Sequence, residues 1–94
     1  MLRRGDQLLA AGDIISARHF FERAASGGDA TALCGIGRSY DPLILRRIGV
    51  LGIAGDAGAA IWWYRKAADA GSSEAVARLK QLSATYPQSS QERR

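Results

Sequence analysis

The sequence predicts an all-α fold: a right-handed α-α superhelix of antiparallel helix-turn-helix repeats, with about five helices and a short inserted turn. Two observations carry this prediction. First, the chain repeats itself 43 positions apart, with identical residues at 11/54, 12/55, 13/56, 17/60, 24/67, 25/68, 28/71 and 32/75. Second, apolar residues recur at helical spacing between Gly-Asp or Gly-Ser pairs that suit tight turns, and no alternating strand pattern competes. Such self-similarity is typical of chains in which each unit buries its apolar face on the next.

The first repeat is expected over about residues 2–28. A helix over about 2–11 ends at Gly12, because glycine readily adopts the left-handed conformation that closes a helix. Asp13 then supplies the N-cap of a second helix over about 14–26, since its carboxylate can accept a hydrogen bond from a free backbone amide. Gly27 and Gly28 end this helix.

The second repeat is expected over about residues 29–71, with an insertion at 41–51. Asp29 caps a helix over about 30–40, and Asp56 caps another over about 57–70. Asp41 and Pro42 interrupt the pattern, but Asp as cap and Pro at the first helical position can also begin a short helix.

A capping helix is expected over about residues 73–86, begun by Ser72 or Ser73 and ended by Pro87. Its buried side is predicted to carry Val76, Leu79, Leu82 and Tyr86. The repeat domain therefore spans residues 1–87, and the polar segment 88–94 is predicted to be a flexible tail. The apolar stripes of all the helices predict one structural core, made of Leu8, Ala17, Phe21, Ala24, Ile36, Gly37, Tyr40, Ala60, Trp63, Tyr64 and Ala67.

The two repeats also resemble known families of helical repeats. The first repeat resembles the tetratricopeptide pattern, on Gly5, Leu8, Gly12, Ala17, Phe21 and Ala24. The second is similar to the related Sel-one-like repeat of bacterial proteins, on Ala32, Ile36, Gly37, Tyr40, Gly52, Ile53, Asp56, Ala60, Trp63, Tyr64, Lys66, Ala67, Ala68 and Gly71. The resemblance covers residues 4 to about 79, and it implies a scaffold that binds other proteins.

The insertion is the main departure from the family pattern, in which five residues separate the tyrosine from the next glycine. Here Tyr40 and Gly52 are separated by eleven residues, and the intervening segment is unusually apolar for a loop. One interpretation is a short helix that packs under the repeats. The other is a recognition surface with Arg46 and Arg47 at its polar edge, since insertions in repeat proteins often map to the binding face.

Charge and composition narrow the class of function. The net charge is +4, but four of the thirteen basic residues lie at the chain ends, and residues 5–91 carry nine basic and eight acidic residues. No nucleic-acid partner is expected, because phosphate binding needs clustered basic residues. One cysteine permits no intrachain disulfide. No apolar run is long enough to span a bilayer, so direct membrane insertion is not expected, and a cytoplasmic or periplasmic location stays open.

No catalytic, cofactor-binding or metal-binding residue is predicted. His19 has no second base or ligand near it at helical spacing, and Cys34 lies beside an apolar stripe where a small core residue fits. The aspartates at 13, 29, 41 and 56 all fall at predicted helix starts, so capping accounts for them. The chain is expected not to be an enzyme.

The predicted function is a non-catalytic protein–protein interaction module that binds a peptide or helix on the concave surface of its first, third and fifth helices, as one domain of a larger bacterial protein. The alternative is a structural or homodimerising domain that positions an attached enzyme or membrane segment. Arginines suit acidic partner segments, and an exposed tryptophan suits an interface centre. The candidate partner-binding residues are Arg38, Arg46, Arg47, Trp62 and Arg78.

Overall fold

The described part of the protein, residues 3–86 of a computed structural model, is all-helical and contains no strand. The predicted all-α class is therefore confirmed. The predicted tail 88–94 and the helix start at residue 2 lie outside the described residues. Six α-helices and one short 3₁₀ turn, Ala25–Gly27, make up this part of the chain; the α-helices are α1 (Arg3–Ala10), α2 (Ile14–Ala24), α3 (Ala30–Tyr40), α4 (Pro42–Ile48), α5 (Ala57–Asp69) and α6 (Ser73–Thr85).

Each helix from α2 onwards begins at a side chain that satisfies a free backbone amide. Asp13, Asp29, Asp41 and Asp56 accept hydrogen bonds through their carboxylates, and Ser72 accepts one through its hydroxyl. The predicted caps are confirmed, and Ser72 is the residue that begins α6. Because a cap acts only on amides two or three positions away, the sequence alone is enough to place it.

Two fully buried aromatic rings are the centres of two neighbouring apolar clusters. Phe21 of α2 packs against Gly5 of α1 and Gly35 of α3, where an added Cβ would come within 2.5 Å of the ring. Tyr64 of α5 packs against Gly37 of α3 at the same close distance. Glycine is required at these positions because only a missing side chain lets the ring reach the helix backbone.

The predicted core residues divide into two groups by exposure. Ala17, Phe21, Ile36, Gly37, Ala60, Tyr64 and Ala67 are buried, whereas Leu8, Ala24, Tyr40 and Trp63 are half-buried. Leu8 packs at the edge of the Phe21 cluster, and Tyr40 and Trp63 pack against both clusters.

The predicted buried side of α6 is partly wrong. Val76 is 45% exposed, and the buried residues of this helix are Ala75 and Leu82, with Leu79 and Tyr86 half-buried. The reason is that α6 packs chiefly on α5, so only a narrow side of α6 is covered. Hydropathy alone favours Val76 over the smaller Ala75, but the close approach to α5 favours alanine.

The insertion forms a helix of its own, α4, which begins at Asp41 with Pro42 in the first turn and ends at Gly49 in the left-handed conformation. Ile44 and Leu45 of α4 are buried in the Phe21 cluster. The interpretation of the insertion as a short packed helix is therefore confirmed, and α4 is a part of the core as well as a connection.

Asp41 lies at the junction between α3 and α4 and connects it to α5. Its side chain is 2% exposed; Oδ1 accepts a hydrogen bond from the Leu43 amide at 2.8 Å, and Oδ2 accepts one from the Tyr64 hydroxyl at 2.7 Å. Burial raises the pKa of Tyr64 well above its usual value, and the hydrogen bond to Asp41 raises it further. Tyr64 therefore stays protonated and remains a donor to the buried carboxylate.

Raising the pH is expected to lower the free energy of unfolding above about pH 9. Burial raises the pKa of both the Cys34 thiol and the Tyr64 hydroxyl in the folded protein. Stability is therefore full below the ordinary values of 9.0 and 10.0, and it is lost at higher pH because only the unfolded chain releases these protons. Each group contributes a slope of up to about 1.4 kcal/mol per pH unit.

Urea unfolding at a series of alkaline pH values measures this loss of stability, and Tyr64→Phe should remove the steeper part above about pH 10. A free energy that does not change over this range would contradict the expectation.

Candidate interaction surface

Four helices meet around one small, open surface depression, called the cavity below, and three of the five predicted partner-binding residues line it. The cavity has a volume of about 200 Å³. Its eight lining residues come from α1, α3, α4 and α6, and they are Asp6, Leu9, Ala10, Arg38, Ile44, Arg47, Ile48 and Arg78. The three arginines provide positive charge, and the leucine, alanine and isoleucines provide apolar contacts.

Arg38 is held firmly at this cavity. Its Nη2 donates to Asp6 Oδ1 at 2.7 Å, and its guanidinium carbon lies 5.5 Å from the centre of the Phe21 ring. The side chain is 17% exposed, and its Nε is buried without a hydrogen-bond partner among the described residues. Packing against the ring fixes the direction of the guanidinium group, because the face of an aromatic ring attracts a cation.

Arg78 lies on α6 and is bonded to Glu74 one turn earlier, with 2.8 Å between Nε and Oε2. Burial lowers the pKa of Arg78, but the hydrogen bond and charge of Glu74 act in the opposite direction, and the pKa is raised overall. Arg78 therefore carries its positive charge at every pH at which the protein is folded.

Arg47 differs from the other two arginines because it is exposed and forms no ion pair with an acidic side chain of residues 3–86. It lies on the inserted helix α4, where it is one of two consecutive arginines. The other, Arg46, does not line the cavity; its Nη2 lies 3.4 Å from the Tyr86 hydroxyl.

Trp62 is not brought to the cavity either. It lies on α5 and is 54% exposed. Its ring meets Trp63 edge to face at 4.8 Å between centroids, and Lys66 Nζ lies 4.8 Å from its centroid. The structure thus groups Arg38, Arg47 and Arg78 and leaves Arg46 and Trp62 on other surfaces.

Sequence reasoning missed the residues that complete the cavity. Asp6 and Arg38 are 32 positions apart, and no local pattern indicates that they pair. Ile44 and Ile48 could have been found from one signal: together with Arg47 they follow the i, i+3, i+4 spacing that places residues on one helix face.

Larger depressions also occur among the described residues, and two of them are formed by fewer helices than the cavity. One, of about 500 Å³, is lined by α6 alone, and the other, of about 390 Å³, is lined by α1 and α2 and includes His19. Within residues 3–86, no three His, Cys, Asp or Glu side chains lie close enough together to hold a metal ion. None of the helices in this range combines the length and the apolarity needed to cross a bilayer.

Comparison of the chain with protein-family models, curated proteins and solved structures finds no match. The resemblance to tetratricopeptide and Sel-one-like repeats therefore stays a prediction from the residues that carry it. The function has to be argued from the surface itself.

Proposed function

We propose that this chain is a non-catalytic protein–protein interaction module that binds an acidic peptide or helix of a partner on the surface around the four-helix cavity. The observation that carries the proposal is the convergence of Arg38, Arg47 and Arg78 beside apolar side chains. Guanidinium groups donate paired, charge-assisted hydrogen bonds to carboxylates. Apolar side chains next to them exclude water, which strengthens such bonds.

The proposal includes a repeat architecture of the Sel-one-like type, within one domain of a larger bacterial protein. Its support is that the same close approach occurs twice: Gly5 faces the Phe21 ring and Gly37 faces the Tyr64 ring, and the two rings are 43 positions apart. In this interpretation α1, α3 and α6 are the first helices of successive units, which accounts for their shared lining of the cavity.

Selection from a displayed peptide library tests the function. Wild-type protein is expected to enrich acidic sequences that also contain aliphatic residues. Replacing Arg38 and Arg78 together with glutamine should weaken the binding of the enriched peptides at least about tenfold, since hydrogen bonds to charged groups contribute about 1.5–3 kcal/mol each. Arg65→Gln on the exposed surface of α5 is the matched control and should bind like wild type.

Two outcomes would contradict the proposal. In one, the library enriches no sequence, or enriches sequences without an excess of acidic residues. In the other, the double arginine variant binds the enriched peptides as well as Arg65→Gln does, while circular dichroism shows that both remain folded.

A structural or homodimerising role is the second candidate, and the exposed Trp62 favours it. A large exposed aromatic side chain is common at the centre of protein interfaces. Sedimentation over a series of concentrations separates the two roles. Association that Trp62→Ala abolishes supports the homodimer, and a monomer at every concentration excludes it.

A further inference from the structure

We infer that the inserted helix α4 and Asp6 together determine what the cavity accepts: a carboxylate side chain next to an aliphatic one, admitted as it replaces Asp6 on Arg38. This inference rests on the proposed function and names the class of ligand for the same cavity. Four observations support it: the unpaired guanidinium of Arg47, the position of Asp6, the volume of the cavity, and the share of the cavity lining that α4 contributes.

Among the three arginines that line the cavity, the one without an acidic partner in residues 3–86 belongs to α4. Arg38 and Arg78 each already bond to a carboxylate, Asp6 and Glu74 respectively. Arg47 is exposed, lines the cavity, and has no acidic partner among residues 3–86. An incoming anion therefore finds its first unpaired guanidinium on the insertion.

Asp6 shows where a carboxylate can sit. Its Oδ1 lies 2.7 Å from Arg38 Nη2, and its own side chain is 52% exposed at the edge of the cavity. An ion pair with one half-exposed partner adds little net stability, so a second carboxylate can replace it with little loss. Arg38 keeps its direction after the exchange because its guanidinium packs on the Phe21 ring. Asp6 is thus an internal competitor for the ligand.

The small volume suits a short side-chain motif better than a whole small molecule or cofactor. About 200 Å³ is below the range of about 300–1,000 Å³ that is typical of small-molecule and cofactor sites. The apolar surface of the lining comes mainly from Ala10 and Ile48, because Leu9 and Ile44 are packed into the Phe21 cluster. This surface suits an aliphatic side chain next to the carboxylate.

The inserted helix α4 determines specificity, because it contributes three of the eight residues that line the cavity. Ile44, Arg47 and Ile48 all belong to α4, and their i, i+3, i+4 spacing places them on one face. Without α4 the cavity would lose two of its apolar side chains and its unpaired arginine. The departure from the regular repeat length is therefore where recognition is encoded.

Titration of the isotopically labelled chain with two synthetic peptides, followed by NMR chemical shifts, tests the inference. The probes are acetyl-Leu-Glu-Leu-Glu-Leu-amide and the same peptide with glutamine in place of glutamate. The acidic peptide should bind and shift the amide signals of α1 and α4, and the glutamine peptide should bind at least about tenfold more weakly.

Pairs of matched variants show which residues determine the binding of the acidic peptide. Arg47→Gln should weaken binding of the acidic peptide about tenfold, whereas the neighbouring Arg46→Gln should change it less than about twofold. Asp6→Asn should strengthen binding about two- to fivefold, because it removes the competitor. Asp69→Asn changes the net charge equally from an exposed position on α5, so any excess effect of Asp6→Asn reports its position.

The outcomes are distinguishable from those of the proposed function. If the acidic peptide binds but Arg47→Gln behaves like Arg46→Gln, or Asp6→Asn behaves like Asp69→Asn, the inference is overturned and the general interaction surface stands. If neither peptide binds and the library selection also yields no acidic sequences, both the inference and the proposed function fail.

Discussion

Replacing Phe21 with alanine is expected to lower the free energy of unfolding by about 3–5 kcal/mol, the range measured for large aromatic residues in protein cores. Phe21 is fully buried, and α1 and α3 both approach its ring through glycines. The vacated volume cannot be refilled easily because Gly5 and Gly35 have no side chains to move into it. Since a small domain has a total stability of about 5–15 kcal/mol, this loss is a large share of the free energy of unfolding.

Urea unfolding followed by circular dichroism measures this loss. Phe20→Ala is the matched control, because it removes the same side chain from the adjacent position, where it is half-buried at the edge of the same cluster. The control should lose less than about half as much free energy, since buried area sets the size of the effect. Equal losses for the two variants would show that Phe21 is not the centre of this cluster.

Replacing Asp41 with alanine is expected to lower the free energy of unfolding by about 2–4 kcal/mol. About 1 kcal/mol of this comes from the lost N-cap of α4. A further contribution of about 1–3 kcal/mol comes from the Tyr64 hydroxyl, which is buried and would lose its acceptor. Because α4 carries Arg47, the same variant should also weaken peptide binding at the cavity.

Asp13→Ala is the matched control for Asp41→Ala. Asp13 caps α2 in the same way, but it is exposed, and within residues 3–86 its side chain bonds only to the Ser16 amide. Its loss should therefore be limited to about 1 kcal/mol. A double-mutant cycle with Tyr64→Phe isolates the pair, with an expected coupling of about 0.5–3 kcal/mol. A coupling of zero, or equal losses for both aspartates, would contradict a stabilising role for the buried bond.

The same pair of aspartates illustrates how much the sequence can predict. Both were predictable as caps, because a cap and its amide are two or three positions apart and the residue type is sufficient. The second bond of Asp41 was not, because Tyr64 is 23 positions away and its ring comes close only after α3 and α5 have packed through Gly37. A buried carboxylate and an exposed one are identical in sequence.

The cavity illustrates the same limit for function. Arg38, Arg47 and Arg78 were each candidates for partner binding, yet no local pattern groups these three residues, because they lie on three different helices. The direction of a long side chain depends on which neighbours pack beside it, and Arg38 is directed by a ring on α2 and an acid on α1. Such contacts join residues far apart in the chain.

By itself, the sequence predicted the helical class, the caps that begin α2 to α6, and Phe21, Gly37 and Tyr64 as parts of the core. It could do so because capping, helical periodicity and glycine backbone freedom act over a few residues. Only the tertiary structure decided which side of α6 is covered, that Asp41 is buried against Tyr64, and that the insertion shares a cavity with α1, α3 and α6. Those features depend on where helices meet, and burial and charge pairing arise only there.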